Sequence, residues 1–381
     1  MSLDKLREKI DGVDDKLMRL FEERMDIVSE IAELKQKNNL PILDRKRETE
    51  KLHKLSGKVS DKLEPYAYTL CDILFELSRT YQHSVHSEPT PLYQEIQDAI
   101  SNTDMVFPQR ASVACQGVEG AYSQLACARL FKQPNVMYFK TFDNVFSAIE
   151  KGLCDYGVLP LENSTAGSVT KIYDLMQSRN FKIVKSLRLK VSHNLLAKKG
   201  TKKEDIREIF SHEQAISQCA AFLDQFGADV KITSVENTAA AAKAVAESDR
   251  ADVAAISSHE CVELYNLNCL ARDIQDRSNN YTRFICISNK LEIYPGADKT
   301  SIMMVLPHRH GALYKALARF YALGINLNKL ESRPLPDRDF EFMFYLDLET
   351  SVYSDEFAKL LESIQEICDE FKYLGSYMEI I

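Results

Sequence analysis

The stretch LDKLREKIDGVDDKLMRLFEERMDIVSEIAEL, residues 3–34, decides the fold of the N-terminal part of the chain. Its apolar residues recur at alternating steps of three and four, which predicts one long helix with a single apolar seam. The seam consists of Leu3, Leu6, Ile10, Val13, Leu17, Leu20, Arg24 as its charged member, Ile27, Ile31 and Leu34. Such a helix is about 50 Å long, which is too long for a small module to cover. We therefore expect a partner helix from another chain.

Two shorter helices are predicted to follow, from about Asp44 to Leu55 and from about Leu63 to Tyr81. Residues 1–83 are therefore expected to form an all-α module that dimerises. Residues 84–110 contain three prolines and no long apolar pattern. That composition predicts a linker with one or two helical turns inside it.

Beyond the linker the order of β-rich and helical segments indicates two further regions. Over residues 111–290 short β-rich runs alternate with helical stretches, which is typical of α/β folds and predicts one or two lobes. Residues 298–381 follow the order strand, helix, strand, strand, helix, strand, which is the α+β ferredoxin-like arrangement. The chain is therefore predicted to be multidomain.

Composition narrows the functional classes. The 381 residues carry a net charge of −8, so the protein as a whole has no positive field that would attract a nucleic-acid backbone. No apolar run reaches 18 residues and the N-terminus is charged, so we expect a cytoplasmic protein without membrane contact. The nine cysteines never form CxxC, the eight histidines lack a metal-ligand cluster, and no phosphate-binding glycine motif occurs. We therefore expect neither a metal nor a cofactor.

The charges of the long helix suggest a binding site. Arg24 and Lys35 are 11 residues apart, about three turns, so they lie on one face about 16 Å from each other. Arg7 precedes Arg24 by 17 residues, about 26 Å along the axis. It can join the same small site only from an antiparallel partner chain. An exposed charged stripe is the alternative interpretation.

Together with ILDRKRE at residues 42–48, this segment resembles the all-helical chorismate mutases over residues 3–83. The resemblance implies these chorismate ligands: Arg7 from the partner chain, Arg24 and Arg47 at the two carboxylates, Lys35 at a carboxylate and the ether oxygen, Asp44 and Glu48 at the ring hydroxyl, and Gln82 at the ether oxygen. The rearrangement needs a compact substrate conformer and donors aimed at the ether oxygen as its bond breaks. Lys35 and Gln82 would therefore be catalytic.

Four polar segments stand out in the α/β region. They are GVEGAYSQLA at 117–126, VLPLENSTAGSV at 158–169, SHEQAISQC at 211–219 and NNYTRFICI at 279–287. Each lies where a strand or helix begins or ends, and α/β sheets usually bind ligands there. Taken singly, each is explained as well by an ordinary tight turn, a helix cap or a polar strand end.

As an ordered set, these segments resemble the prephenate dehydratases over residues 111–290, with Leu161 standing where that family is expected to have isoleucine. The resemblance implies a two-lobed fold like that of periplasmic binding proteins, with prephenate in the cleft. It implies these prephenate-site residues: Ala121, Tyr122, Ser123, Glu162, Asn163, Ser164, Thr165, Ser211, His212, Gln214, Gln218, Thr282, Arg283 and Phe284. Thr282 would be catalytic, donating a hydrogen bond to the departing hydroxyl, with His212 as an alternative relay. Arg283 would bind a carboxylate.

The C-terminal segments HGALYKAL at 310–317 and GINLNKLESRP at 324–334 resemble the phenylalanine-sensing form of the ACT domain. The resemblance implies an effector pocket formed by Gly311, Ala312, Leu313, Glu331, Ser332 and Arg333. Tyr314 departs from the small aliphatic residue expected there. A domain used only for dimerisation is the alternative.

In this order the three regions resemble the bifunctional enzymes of phenylalanine biosynthesis. The resemblance implies that chorismate becomes prephenate, that prephenate becomes phenylpyruvate, and that L-phenylalanine inhibits a homodimer or homotetramer. The alternatives are a prephenate dehydratase with a catalytically silent helical module, and a non-catalytic amino-acid sensor. No sequence pattern indicates packing between the helical module and the C-terminal unit.

Overall fold

A computed structural model describes residues 2–85, 90–335, 338 and 341–381 of the chain. The chain divides into two compact units. One contains Met1–Gln97 and Met304–Lys372, and the other contains Asp98–Met303 and Tyr373–Ile381. Residues 86–89 of the predicted linker lie outside the described residues.

The first unit begins with three helices, α1 (Leu3–Lys37), α2 (Arg45–Ser56) and α3 (Glu64–Val85). Ser2 caps α1 by accepting a hydrogen bond from the Lys5 N–H, and Asp44 caps α2 by accepting from the Arg47 N–H. Helix α3 packs against both α1 and α2. Of the residues of α1, Val28 and Ala32 are buried, whereas the seam residues Leu3 and Ile10 are about 60% exposed. The helices are therefore as predicted, and the seam is uncovered in the single chain.

The second unit contains two sheets. In chain order its elements are α4 (Pro91–Asn102, which begins in the first unit), β1 (Arg110–Gln116), α5 (Tyr122–Leu130), β2 (Gln133–Phe139), α6 (Phe142–Glu150), β3 (Tyr156–Asn163), β4 (Gly167–Ser168), α7 (Thr170–Ser178), β5 (Lys182–Lys190), β6 (Asn194–Ala197), β7 (Glu208–Ser211), α8 (Glu213–Gln218), α9 (Ala220–Leu223), β8 (Lys231–Ser234), α10 (Thr238–Glu247), β9 (Val253–Ser257), α11 (Glu260–Leu264), β10 (Asn268–Ala271) and β11 (Tyr281–Ser288). Helix α4 is longer than the one or two turns predicted for this segment.

The two sheets form two lobes. The first has the order β16-β5-β11-β3-β1-β2, with β4 beside β3 and with β16 (Glu379–Ile380) supplied by the chain's C-terminal end. The second has the order β10-β6-β9-β7-β8. The chain leaves the first lobe after β5 and returns as β11, which runs antiparallel to both β5 and β3. In each sheet helices pack over the central strands, which are largely buried, such as β3 and β11 in the first and β6 and β9 in the second. The predicted α/β region therefore has two lobes.

The C-terminal elements are β12 (Lys299–Val305), α12 (Ala312–Ala322), β13 (Asn326–Pro334), β14 (Phe342–Glu349), α13 (Asp355–Ile367) and β15 (Glu370–Tyr377), followed by β16. They follow the predicted βαββαβ order, in a sheet ordered β13-β14-β12-β15. Within the first unit, α12 and α13 pack against α3. No sequence pattern had indicated this contact. In the described part of the chain, no helix is both long and apolar enough to cross a membrane.

Candidate active sites

The first polar cluster joins α1 to α3. Arg24 donates a hydrogen bond to the Ser78 hydroxyl, and Gln82 Nε2 donates to the Ser78 carbonyl oxygen at 3.2 Å. Gln82 is buried, and its Oε1 has no hydrogen-bond partner among the described residues. Sequence reasoning missed Ser78, although its spacing of one helical turn from Gln82 places both residues on one face of α3. The structure thus brings Arg24, Ser78 and Gln82 together.

Lys35 lies at the other end of this cluster, where its ammonium group donates to the Ile42 carbonyl oxygen. Burial lowers the pKa of Lys35, and the carboxylates of Glu48 and Asp44 oppose that shift. Glu48 in turn accepts a hydrogen bond from the buried Arg79, a residue that the sequence analysis did not single out. The predicted residues of α1 and α2 are therefore electrostatically coupled.

Two of the predicted chorismate ligands, Arg7 and Arg47, do not contact this cluster. Arg7 is exposed, with its guanidinium 3.5 Å from Asp4 on the same helix. The helical rise places it about 26 Å from Arg24, as expected from the sequence. Arg47 is exposed on α2.

A second site is a cavity of about 500 Å³ lined from both lobes of the second unit. Nine of the predicted prephenate-site residues line it: Ala121, Tyr122, Ser123, Asn163, His212, Gln214, Gln218, Thr282 and Phe284. They come from the start of α5, the two ends of α8, the end of β3 and the start of β11. The strand and helix ends that the sequence singled out therefore meet at one cleft.

Thr282 sits in a polar network within this cleft. Asn163 Nδ2 donates to Thr282 Oγ1 at 3.0 Å and to Asn280 Oδ1 at 2.8 Å. Gln218 Nε2 donates to Thr165 Oγ1 at 2.7 Å, which ties the second lobe to the loop after β3. Because Thr282 Oγ1 accepts from an amide, its own O–H proton is free to be donated to another group.

His193 also lines the cavity, and the sequence analysis did not single it out. Its Nε2 is 2.9 Å from Gln218 Oε1, while its buried Nδ1 has no hydrogen-bond partner in the described part of the chain. Burial lowers the pKa of His193, with the Gln218 contact opposing, so the ring is neutral at neutral pH. The sequence signal that could have identified His193 is its place in a polar SHN segment just before β6. His212 has a different role, since its Nδ1 accepts from the Gln214 N–H and caps α8.

Five of the predicted prephenate-site residues are not part of the cavity lining: Glu162, Ser164, Thr165, Ser211 and Arg283. Ser164 links β3 to β11, since its Oγ donates to the Asn279 carbonyl oxygen at 2.7 Å. Ser211 is buried and donates to the Ile256 carbonyl oxygen at 2.9 Å. Arg283 Nη1 lies 3.4 Å from Glu162 Oε1. Because alternate residues of a strand face opposite sides, Arg283 and Glu162 lie away from the cleft that Thr282 and Phe284 line.

The predicted effector residues lie at the start of α12 and on β13, which contact each other. Gly311 precedes α12 with a φ of +77°, a left-handed conformation that favours glycine. Glu331, Ser332 and Arg333 are consecutive on β13, where Ser332 is exposed. Among the described residues, no cluster of three or more histidine, cysteine or acidic side chains could hold a metal ion.

Comparison with known families gives two matches along the chain. The family profile named "Prephenate dehydratase" matches residues 113–292, and the one named "Chorismate mutase type II" matches residues 6–83. The chain is 33% identical to the "Bifunctional chorismate mutase/prephenate dehydratase" of Aquifex aeolicus over 380 residues, covering 98% of this chain and 97% of that protein. It is 38% identical over 302 residues to "Arogenate dehydratase/prephenate dehydratase 2, chloroplastic" of Arabidopsis thaliana, covering 76% and 77% of the two chains.

Among solved structures, the chain resembles a prephenate dehydratase from Arthrobacter aurescens that was determined in complex with L-Phe. The sequence identity is 28% and the TM-score is 0.65, over 70% of this chain and 89% of that one. These matches confirm the family resemblance and the α/β fold predicted for the central region.

Proposed function

The chain belongs to the family of bifunctional chorismate mutase/prephenate dehydratases, and from this membership we propose how its residues carry the two reactions. The function is assigned from the match over almost the whole length of the Aquifex enzyme. The chain rearranges chorismate to prephenate and converts prephenate to phenylpyruvate, two steps of phenylalanine biosynthesis. Assignment of individual residues to these steps is our proposal.

For the mutase reaction we assign the substrate carboxylates to Arg24, Arg47 and the partner chain's copy of Arg7. Lys35 and Gln82 stabilise the ether oxygen as the carbon–oxygen bond breaks. The half-buried position of Lys35 supports this role, because an electrostatic contact gains strength where water is excluded. Asp44 and Glu48 bind the ring hydroxyl of chorismate, and Ser78 orients Arg24 by accepting its hydrogen bond.

For the dehydratase reaction we assign Thr282 as the hydrogen-bond donor to the departing hydroxyl. The bond from the ring to its carboxylate breaks, the electron pair enters the ring, and hydroxide leaves and takes up a proton from solvent. Carbon dioxide, water and phenylpyruvate result. A threonine hydroxyl is too weak an acid to give up its proton outright, so Thr282 assists by hydrogen bonding. The Asn163 contact supports this role, because it fixes the Thr282 oxygen as an acceptor.

We infer that residues 298–381 form an ACT domain, and that L-phenylalanine bound there inhibits the dehydratase. The βαββαβ order and the effector-segment residues support this assignment. The L-Phe complex of the Arthrobacter enzyme supports the ligand class. An effector can inhibit a distant site only by binding one conformation more tightly than another.

We also infer that the chain works as a homodimer or a homotetramer, in which pairs of α1 helices share the mutase sites. The exposed apolar seam and the distance of Arg7 from Arg24 support this assembly. Refolding a mixture of Arg7→Ala and Arg24→Ala chains should restore part of the mutase activity, since heterodimers regain one intact site. Proven heterodimers without activity would contradict the shared site.

The test of the function uses the purified full chain with chorismate and with prephenate. Thr282→Ala should lower the dehydratase rate by roughly a hundredfold or more, the scale expected for a positioned donor, while mutase activity is unchanged. Thr282→Ser is the matched control and should retain much of the rate. Prephenate turnover without chorismate turnover would indicate a silent helical module, and turnover of neither substrate would indicate a sensor.

A further inference from the structure

Arg283 follows Thr282 directly on β11 but lies in a different environment. Its Nε is 2.8 Å from Glu379 Oε1, and its Nη2 donates to the Tyr377 hydroxyl at 3.0 Å. Its side chain is largely buried. The residue next to the proposed donor is therefore held by the last few residues of the chain, all within the second unit.

Glu379 is the centre of this arrangement. Its side chain is 2% exposed and lies 2.9 Å from Lys299 Nζ and 2.6 Å from Arg188 Nε, in addition to the Arg283 contact. Ser186 Oγ donates to it at 3.2 Å. Burial raises the pKa of Glu379, but Lys299, Arg283 and Arg188 more than offset this and leave the pKa below its usual range. The carboxylate is therefore ionised at neutral pH and forms ion pairs with three neighbouring cations.

The backbone fixes the position of this carboxylate. Strand β16 runs parallel to β5, with Glu379 opposite Ser186. A few residues earlier, Gly375 has a φ of +143°, and a Cβ there would lie 2.1 Å from the Ile183 carbonyl oxygen. Only glycine permits so close a backbone approach. The C-terminal end is thus built into the first sheet of this unit.

The ladder between β11 and β3 is irregular next to Thr282. The pairing shifts register between Arg283 and Phe284, where Leu161 of β3 has no partner on β11. A β-bulge disrupts the ladder locally and re-aims the neighbouring side chains. On its other side β11 pairs with β5 in unbroken register from Tyr281 to Cys286, so the ladder beside Thr282 is weakened on the β3 side alone.

We propose that Glu379 is a positioning residue of the dehydratase reaction, which fixes Arg283 and thereby the placement of the Thr282 hydroxyl. The inference rests on the proposed role of Thr282. Glu379 touches no reacting atom, and it acts by holding the start of β11 in place where its ladder with β3 is irregular. Misplacing a reacting group by about 1 Å can cost a hundredfold in rate. Loss of the clamp should therefore lower the turnover number and leave prephenate binding little changed.

The experiment compares Glu379→Gln, which keeps the shape and removes the charge, with Glu370→Gln as a control on exposed β15 surface. Glu379→Gln should lower the dehydratase kcat by roughly ten- to a hundredfold, with KM within about threefold, whereas Glu370→Gln should match the wild-type chain. Mutase activity of the same samples reports on the first unit, and thermal unfolding of the chain reports on the second. Glu379→Asp keeps the charge on a shorter stem, and it should also lower kcat even if the glutamine variant does not fold.

A double-variant comparison separates positioning from a general loss of structure. In a Thr282→Ala chain, Glu379→Gln should cost little further kcat, because both changes remove the same placed hydroxyl. An equal loss in both backgrounds, or a raised KM at unchanged kcat, would overturn the inference and leave the proposed function standing. A Thr282→Ala chain with the full dehydratase rate would overturn both.

Discussion

The most informative perturbation of the first unit is Glu76→Gln on α3. The Glu76 side chain is 4% exposed and accepts contacts from three cations. Arg319 Nη2 on α12 is 3.2 Å away, Lys315 Nζ on α12 is 3.6 Å away, and Arg79 lies one turn along α3. The Arg319 side chain is 0% exposed. This carboxylate therefore compensates charge that has no access to water.

The expected loss of stability depends on which charged groups each substitution leaves in the cluster. Without the Glu76 charge, Arg319 keeps Glu366 at 3.4 Å as its carboxylate contact among the described residues. Removing one partner of a buried ion pair costs about 3–5 kcal/mol in free energy of unfolding, and the single remaining contact with Glu366 places the expected cost toward the lower end. Removing Arg319 instead leaves Glu76 with Arg79 and Lys315. Arg319→Met should therefore cost less, about 1.5–3 kcal/mol, the scale of a hydrogen bond to a charged group.

The assay is thermal and denaturant unfolding of the full chain at constant protein concentration, since oligomers melt in a concentration-dependent way. About 3–5 kcal/mol corresponds to a fall in Tm of roughly 6–20 °C for a unit of this size. Asp72→Asn is the matched control, because Asp72 and its partner Lys315 are both about one quarter exposed. It should cost less than about 1 kcal/mol.

Two results would refute this reasoning. One is a Glu76→Gln chain that is as stable as Asp72→Asn, which would mean that the cluster is hydrated. The other is strict additivity of Glu76→Gln and Arg319→Met in the double variant, because partners in one buried pair should show a coupling energy of about 0.5–3 kcal/mol.

The remaining predictions concern both catalytic sites, the effector and pH. Gln82→Glu should restrict mutase activity to acidic pH, where the carboxyl is protonated and can donate to the ether oxygen, and a profile equal to wild type would remove Gln82 from the site. Gly311→Val and Ser332→Ala should raise the phenylalanine concentration that half-inhibits the dehydratase, with the uninhibited rate little changed, whereas unchanged phenylalanine binding by calorimetry would place the effector elsewhere. Hydrogen bonds from Thr233, Arg250 and Lys231 lower the pKa of Glu208 to about 2. The unfolded carboxyl titrates at its ordinary, higher pKa, so this stabilisation is complete above about pH 4.5 and is lost as the pH falls toward 2. Glu208→Gln should flatten the stability profile in that interval, and an unaltered acid transition would contradict the assignment.

Sequence alone determined the features that depend on near neighbours along the chain. The three- and four-residue repeat of α1, the alternation of β-rich and helical runs, and the βαββαβ order all follow from local periodicity and are present in the structure. The polar strand ends at Asn163 and Thr282 were recognisable for the same reason, since ligands bind in α/β folds where strands end.

Tertiary structure decided what depends on residues far apart in sequence. Arg283 was expected to bind a substrate carboxylate, and that role stays a prediction. The folded chain adds its contacts with Glu162 and Glu379, which the sequence could not reveal. Lys315 and Arg319 look like ordinary surface charges one turn apart on a helix, and so do Asp72 and Glu76. Their complementarity exists only once α12 packs on α3. A periodic pattern states which face of an element is apolar or charged, and the contacts of the folded chain determine which other face it meets.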